Sequence, residues 1–131
     1  MILQTIFQFL SGESSITDLV SARIYPTVFP MGSILPAIVT KVVSVDRTIS
    51  HGGFSGVLKP RVQFTCMADD FDSADELKEA LIAVLEDTDN WGTWGTTPVY
   101  SVVIQTYYDL GYVEDTESYQ IAVDAAIQMG A

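Results

Sequence analysis

Between Arg61 and Leu85 the apolar period switches from two residues to about 3.6, and no single kind of secondary structure accommodates both. From Arg61 to Ala68 the alternation is clean. Val62, Phe64, Cys66 and Ala68 point one way and Arg61, Gln63, Thr65 and Met67 the other, as in a strand with one covered face. Leu77, Ala80, Leu81, Val84 and Leu85 then form one apolar stripe, with Ser73 and Glu76 spaced as a capping box, which predicts a helix over 74–86. The chain is therefore committed to a sheet packed against helices.

The remaining elements follow from the same two periods. Ile2, Leu3, Ile6, Phe7 and Leu10 predict a short amphipathic helix that stops at Gly12, and Ile16 and Leu19 predict a further helical turn. Pro26, Pro30 and Pro36 mark a connector, with room for one short strand. The β-branched run over 37–45 predicts a strand, and a second long β segment over 99–108 is followed by an expected turn around Gly111. A last strand places Tyr119, Ile121, Val123, Ala125 and Ile127 on one face. The expected class is α+β, a four-stranded, mostly antiparallel sheet with two helices on one face. Its order is α-β-β-α-β-β with long loops at 46–56 and 87–97. The core should join Val62, Phe64, Leu77, Leu81, Val84, Ile121 and Val123.

Residues 1–131 have the length of one domain, with enough chain for a real core. Six basic residues against 17 acidic ones give a net charge of -11, which argues against gripping DNA phosphates. The first ten residues lack the basic segment and cleavage site of a signal peptide, and no apolar run is long enough to span a bilayer. A cytoplasmic site of synthesis and no membrane partner are expected.

Little in the sequence suggests catalysis or a cofactor. His51 is the only histidine and sits among glycines, so nothing would orient it in a triad. Asp69, Asp70, Asp72 and Asp75 fail the calcium-loop pattern, because Asp75 stands where a glycine and Leu81 where a bidentate glutamate are needed. Gly52, Gly53 and Gly56 precede a strand and no Gly-Lys-Ser/Thr, so they do not make a phosphate cradle. Cys66, in phase with Val62 and Phe64, reads as a core residue. No enzyme activity, metal or cofactor is expected.

Contact surfaces are the better prospect. The glycine-bearing segment 46–56 is too long for a two-residue turn and reads as an extended hairpin tip, with Arg47, His51 and Phe54 as interface candidates. Trp91 and Trp94 flank a glycine, and either fold back as a lid or anchor a partner. Tyr107 joins them because its strand is longer than this core should cover. More than half of the acids fall between Asp69 and Asp89, against Lys78 alone, which is a solvated helix face or a deliberately negative surface.

Several short phrases carry a resemblance. These are the N-terminal helix ending in glycine, Leu19-Val20-Ser21-Ala22-Arg23-Ile24-Tyr25-Pro26, Leu35-Pro36-Ala37-Ile38-Val39, Val62-Gln63-Phe64, and Ser73-Ala74-Asp75-Glu76-Leu77. Together they resemble the tail-terminator, or tail-completion, family of long-tailed phages, by motif through that last helix and by element order beyond it. The resemblance implies a virion protein of a phage or prophage, assembled in the host cytoplasm and placed at the head-proximal end of the tail. It implies a ring, expected to be a hexamer, that caps the tail tube and joins it to the head connector or head-closure protein. DNA would pass through without tight binding, and Asp70, Asp72, Asp75 and Glu79 become candidates for a DNA-repelling channel wall. A head-closure protein and a small ligand-binding α+β domain are the alternatives.

Overall fold

A computed structural model describes residues 2–21, 23–30, 32, 34–50 and 53–130, with the backbone alone at 48–50 and 53–55. Two helices, α1 (Ile2–Ser11) and α2 (Ser14–Val20), precede a short strand, β1 (Ile24–Pro26). A long hairpin, β2 (Ala37–Ser50) and β3 (Gly53–Ala68), leads into α3 (Phe71–Glu86). A 3-10 turn (Thr88–Asn90), β4 (Gly92–Trp94), β5 (Thr97–Val113) and β6 (Ser118–Gly130) complete the chain. One six-stranded curled sheet has the order β1-β2-β3-β6-β5-β4, with β1 parallel to β2 and every other pair antiparallel.

The helices cover one face of this sheet. Ile6, Leu10, Ile16 and Val20 from α1 and α2 and Leu77, Leu81, Val84 and Leu85 from α3 share a buried cluster with Val62, Phe64, Cys66, Val123, Ala125 and Ile127. The stripe on α3 is therefore buried as the spacing predicts. Its start is not: α3 begins three residues before 74, and the cap is Asp70, whose carboxylate accepts from Ser73 N at 2.7 Å. Asp70 outcompetes the Ser73 capping box because its extended backbone (φ -137°, ψ 168°) aims the carboxylate at the free N–H groups of the first turn.

Three bulges shape β5. Its register against β6 slips between Val99 and Ser101, between Ile104 and Thr106, and between Asp109 and Gly111, so Tyr100, Gln105 and Leu110 are extra residues opposite a continuous partner. Each such insertion increases local twist and bends the strand, which supplies curl to the sheet. Gly111, at φ 74°, belongs to the third bulge, where its N–H donates to Asp109 Oδ1 at 2.6 Å.

The expected four-stranded sheet with two helices is thus corrected to six strands and three α-helices. β1 and β4 are three-residue edge strands, too short to show a period. The expected loop over 46–56 is mostly strand, because β2 runs to Ser50 and β3 starts at Gly53. Its glycines suggested irregular chain, but ladder pairing such as Asp46↔Lys59 and Arg47↔Leu58 continues through the segment. Likewise the segment 87–97 holds the 3-10 turn and β4. The turn expected around Gly111 lies instead at 114–117. Ile121 leaves the main core for a small cluster with Ala68 and Ala74, and Met67, expected outward, is buried on the opposite face beside Phe29 and Val39.

Candidate functional site

The two phrases around Tyr25 and Pro36 meet in space. Ile24, Tyr25 and Pro26 pair with Ile38, Val39 and Thr40, and Arg23 Nε donates to Pro36 O at 2.8 Å. They build one margin of the sheet, and β1 covers only residues 38–40 of β2 there. At the opposite margin β4 covers only residues 97–99 of β5. Among the described residues, long stretches of β2 and β5 therefore form open edges, which a protein normally blunts with charge and bulges.

The two margins differ in chemistry. Lys41, Arg47, Lys59 and Arg61, four of the six basic residues, stand on the β2–β3 hairpin against one acid, Asp46. Lys41, Lys59 and Arg61 are all exposed, as are the apolar Val43 and Val45. On the face turned away from the sheet, α3 presents Asp72, Glu76, Glu79 and Glu86 as an exposed acidic stripe, of which Glu79, sharing Lys78 with Tyr107, and Glu86, lining a groove with Val103, lie beside β5. β5 itself exposes Tyr100, Val103, Tyr107, Tyr108, Leu110 and Tyr112, each between 41 and 56%.

Lys78 joins α3 to β5. Its Nζ lies 2.9 Å from Asp75, 2.8 Å from Glu79 and 4.5 Å from the centre of the Tyr107 ring, while its side chain is only 8% exposed. The Glu79 hydrogen bond, with Asp75 adding to it, raises its pKa against the opposing effect of burial. This lysine is a structural cation. On the open face of the sheet, Gln63 Nε2 donates to Tyr108 Oη at 2.6 Å and Arg61 Nε to Gln105 Oε1 at 3.2 Å, linking β3 to β5 across β6.

The sequence-predicted residues do not converge on one site. Arg47 lies on the hairpin and Tyr107 on β5, at opposite sides of the sheet. Phe54 is in β3 with only its backbone described, and His51 lies outside the described residues. Trp94 is 1% exposed and stacked on Phe9, so its ring belongs to the chain's own core. Trp91 is partly buried and donates from Nε1 to Leu85 O at 3.0 Å. Of the four proposed channel acids, Asp70 caps α3, Asp75 and Glu79 hold Lys78, and Asp72 is simply exposed in the first turn. Lys78 and the rest of the tyrosine row beyond Tyr107 carry no signal in the sequence. The row follows no simple alternation, and the lysine's partners come from packing.

Chemistry stays sparse. Burial pushes the Cys66 thiol up to about 12, which makes it a poor nucleophile. The Ser73 N–H holds the Asp70 carboxyl below its usual range. Among the described residues no cluster of His, Cys, Asp or Glu is arranged to hold a metal ion, and no helix is long and apolar enough to cross a membrane. A shallow groove between Phe29, Met67 and Thr116 holds no charged side chain in its lining.

No protein-family model and no curated protein matches the sequence. Among solved structures, the fold matches a chain in the virion of a native gene transfer agent (GTA) particle, with a TM-score of 0.72 at 14% identity. The match covers 99% of this chain and 95% of that one. At that identity the likeness is one of fold.

Proposed function

We propose that the chain is a structural protein of a phage-like virion, and within that class a tail terminator. In that role it forms a ring on the finished tail tube, stops its growth and presents a surface to the head connector. The observation that carries the reading is the end-to-end fold match with a chain of a gene transfer agent virion, in which neither chain leaves a sizeable part unmatched. The motif resemblance to tail-completion proteins supports the finer role, and the parallel ladder of β1 on β2 joins two of the phrases that carry it. Contact without catalysis is in keeping with one histidine and a buried, high-pKa thiol.

The test is genetic and visual. Disrupting the coding sequence should yield tails of uncontrolled length unattached to heads in electron micrographs, and restoring it should return joined particles of normal length. Normal joined particles from the disrupted strain would refute the terminator role. Absence of the chain from purified particles would refute the virion reading altogether.

A further inference from the structure

Opposite margins of the sheet carry opposite charge. The β2–β3 hairpin holds exposed Lys41 and Lys59 with exposed Val43 and Val45, Arg61 being turned toward Gln105 of β5, and the β5 margin holds exposed tyrosines beside Glu79 and Glu86 of α3. A molecule with net charge -11 repels its own copies at long range, so any self-association needs local complementarity. The hairpin is where most of the chain's cations are placed. Tyrosine is among the residues enriched at the energetic centres of protein interfaces, and the Lys78 ammonium 4.5 Å from the Tyr107 ring shows the β5 margin already accepting a lysine cation.

We propose that a second copy of this chain docks head to tail, the basic β2–β3 hairpin of one copy lying against the β5 edge and acidic α3 stripe of the next. The two surfaces are different and lie on opposite sides of the sheet, so the contact is heterologous and leaves each copy with one free half-site, the arrangement that closes into rings. The bulges at Tyr100, Gln105 and Leu110 twist the β5 edge away from flat strand pairing. Side chains, with charge setting the register, therefore carry the contact. The proposal deepens the ring reading above and rests on it only for the biological use of the contact.

Charge reversal on the full-length chain tests it, with self-association followed by sedimentation up to millimolar concentration. Lys41→Glu with Lys59→Glu makes the protein more negative, and Glu79→Lys with Glu86→Lys makes it less so. Both pairs should weaken association ~10-fold or more, whereas net-charge repulsion alone would move them in opposite directions. A chain carrying all four changes has its original net charge and should return to within ~3-fold of the natural affinity. All four positions are exposed, and circular dichroism and thermal melting check that each variant is folded. Unchanged association in either pair, opposite effects in the two pairs, no recovery in the fourfold variant, or a natural chain that stays monomeric would each overturn the interface. So would a hairpin reversal that abolishes retention of a DNA duplex and leaves self-association intact. Association that ignores these charges in a chain found in virions removes the interface alone. The expected charge pattern in a chain absent from particles removes only the virion reading.

Discussion

The ring of Trp94 lies against that of Phe9 with centroids 4.1 Å apart and planes 6° from parallel, and its Nε1 donates to Asn90 O at 2.8 Å. This pair fastens the N-terminal helix to the segment that follows α3. Trp94→Ala should cost ~3–5 kcal/mol of stability in chemical denaturation, because a fully buried indole leaves a cavity and an unpaired carbonyl. A double-mutant cycle of Phe9→Leu and Trp94→Leu should return a coupling of ~0.5–1.5 kcal/mol, and additive single losses would show that the rings do not interact specifically.

Leu81 is fully buried in the middle of the α3 stripe. Leu81→Ala is expected to lower unfolding free energy by ~2–5 kcal/mol, with no change in oligomeric behaviour of the folded fraction. A loss within the error of a urea titration would contradict the packing of α3 on the sheet.

Asp70 gives stability a pH dependence of known sign. Its folded pKa is depressed, so the unfolded chain takes up the proton first as pH falls, and the cap's contribution is present above the ordinary carboxyl value of 3.8. That contribution is lost as pH drops through the lower folded value. Asp70→Ala should therefore melt below the natural chain at pH 7, with the gap narrowing in acid. A gap independent of pH would mean that the carboxylate charge plays no part.

Lys78→Ala removes both a cation and a packed hydrocarbon stem, leaving Asp75 and Glu79 to repel one another beside Tyr107. The expected cost is ~0.5–3 kcal/mol, and Lys78→Met, which keeps the stem, should recover a large part of it. Equal losses in the two variants would assign the effect to charge rather than packing.

Where burial wrote a period into the residues, the sequence was readable. The Val62-Phe64-Cys66 face, the Leu77–Leu85 stripe and the buried Cys66 are all as their spacing predicts. The strand over 37–45 was readable from its β-branched residues, but its continuation past Val45 was not, because Asp46 and Arg47 are exposed, polar and followed by glycines that signal a loop. Gly111 signalled a turn by residue type, yet its positive φ serves a bulge, and the reversal falls to the polar residues 114–117. Asp70 and Ser73 are both good caps, and only the backbone geometry decides between them. The opposed margins could not be found from sequence alone, since Lys41 and Glu86 acquire their relationship only once the order of strands is known.

The bulged strand also sets a rule for length variation. Along β5 the residues on the helix-covered side run Val99, Val102, Ile104, Tyr107, Asp109 and Tyr112, in steps that alternate between three and two, so the strand counts in fives. Inserting or deleting one whole five-residue unit would keep every later side chain on its present side. Loss of Gln105 alone would remove a bend yet leave Thr106 opposite Asp124 and Tyr107 opposite Val123, so Tyr107 and Tyr112 would keep their side, whereas loss of Val103, which lies between bulges, would turn Ile104 over to the uncovered side. Relatives of this chain that differ in β5 length should accordingly differ by a bulge residue or by whole five-residue units, a pattern that an alignment can check.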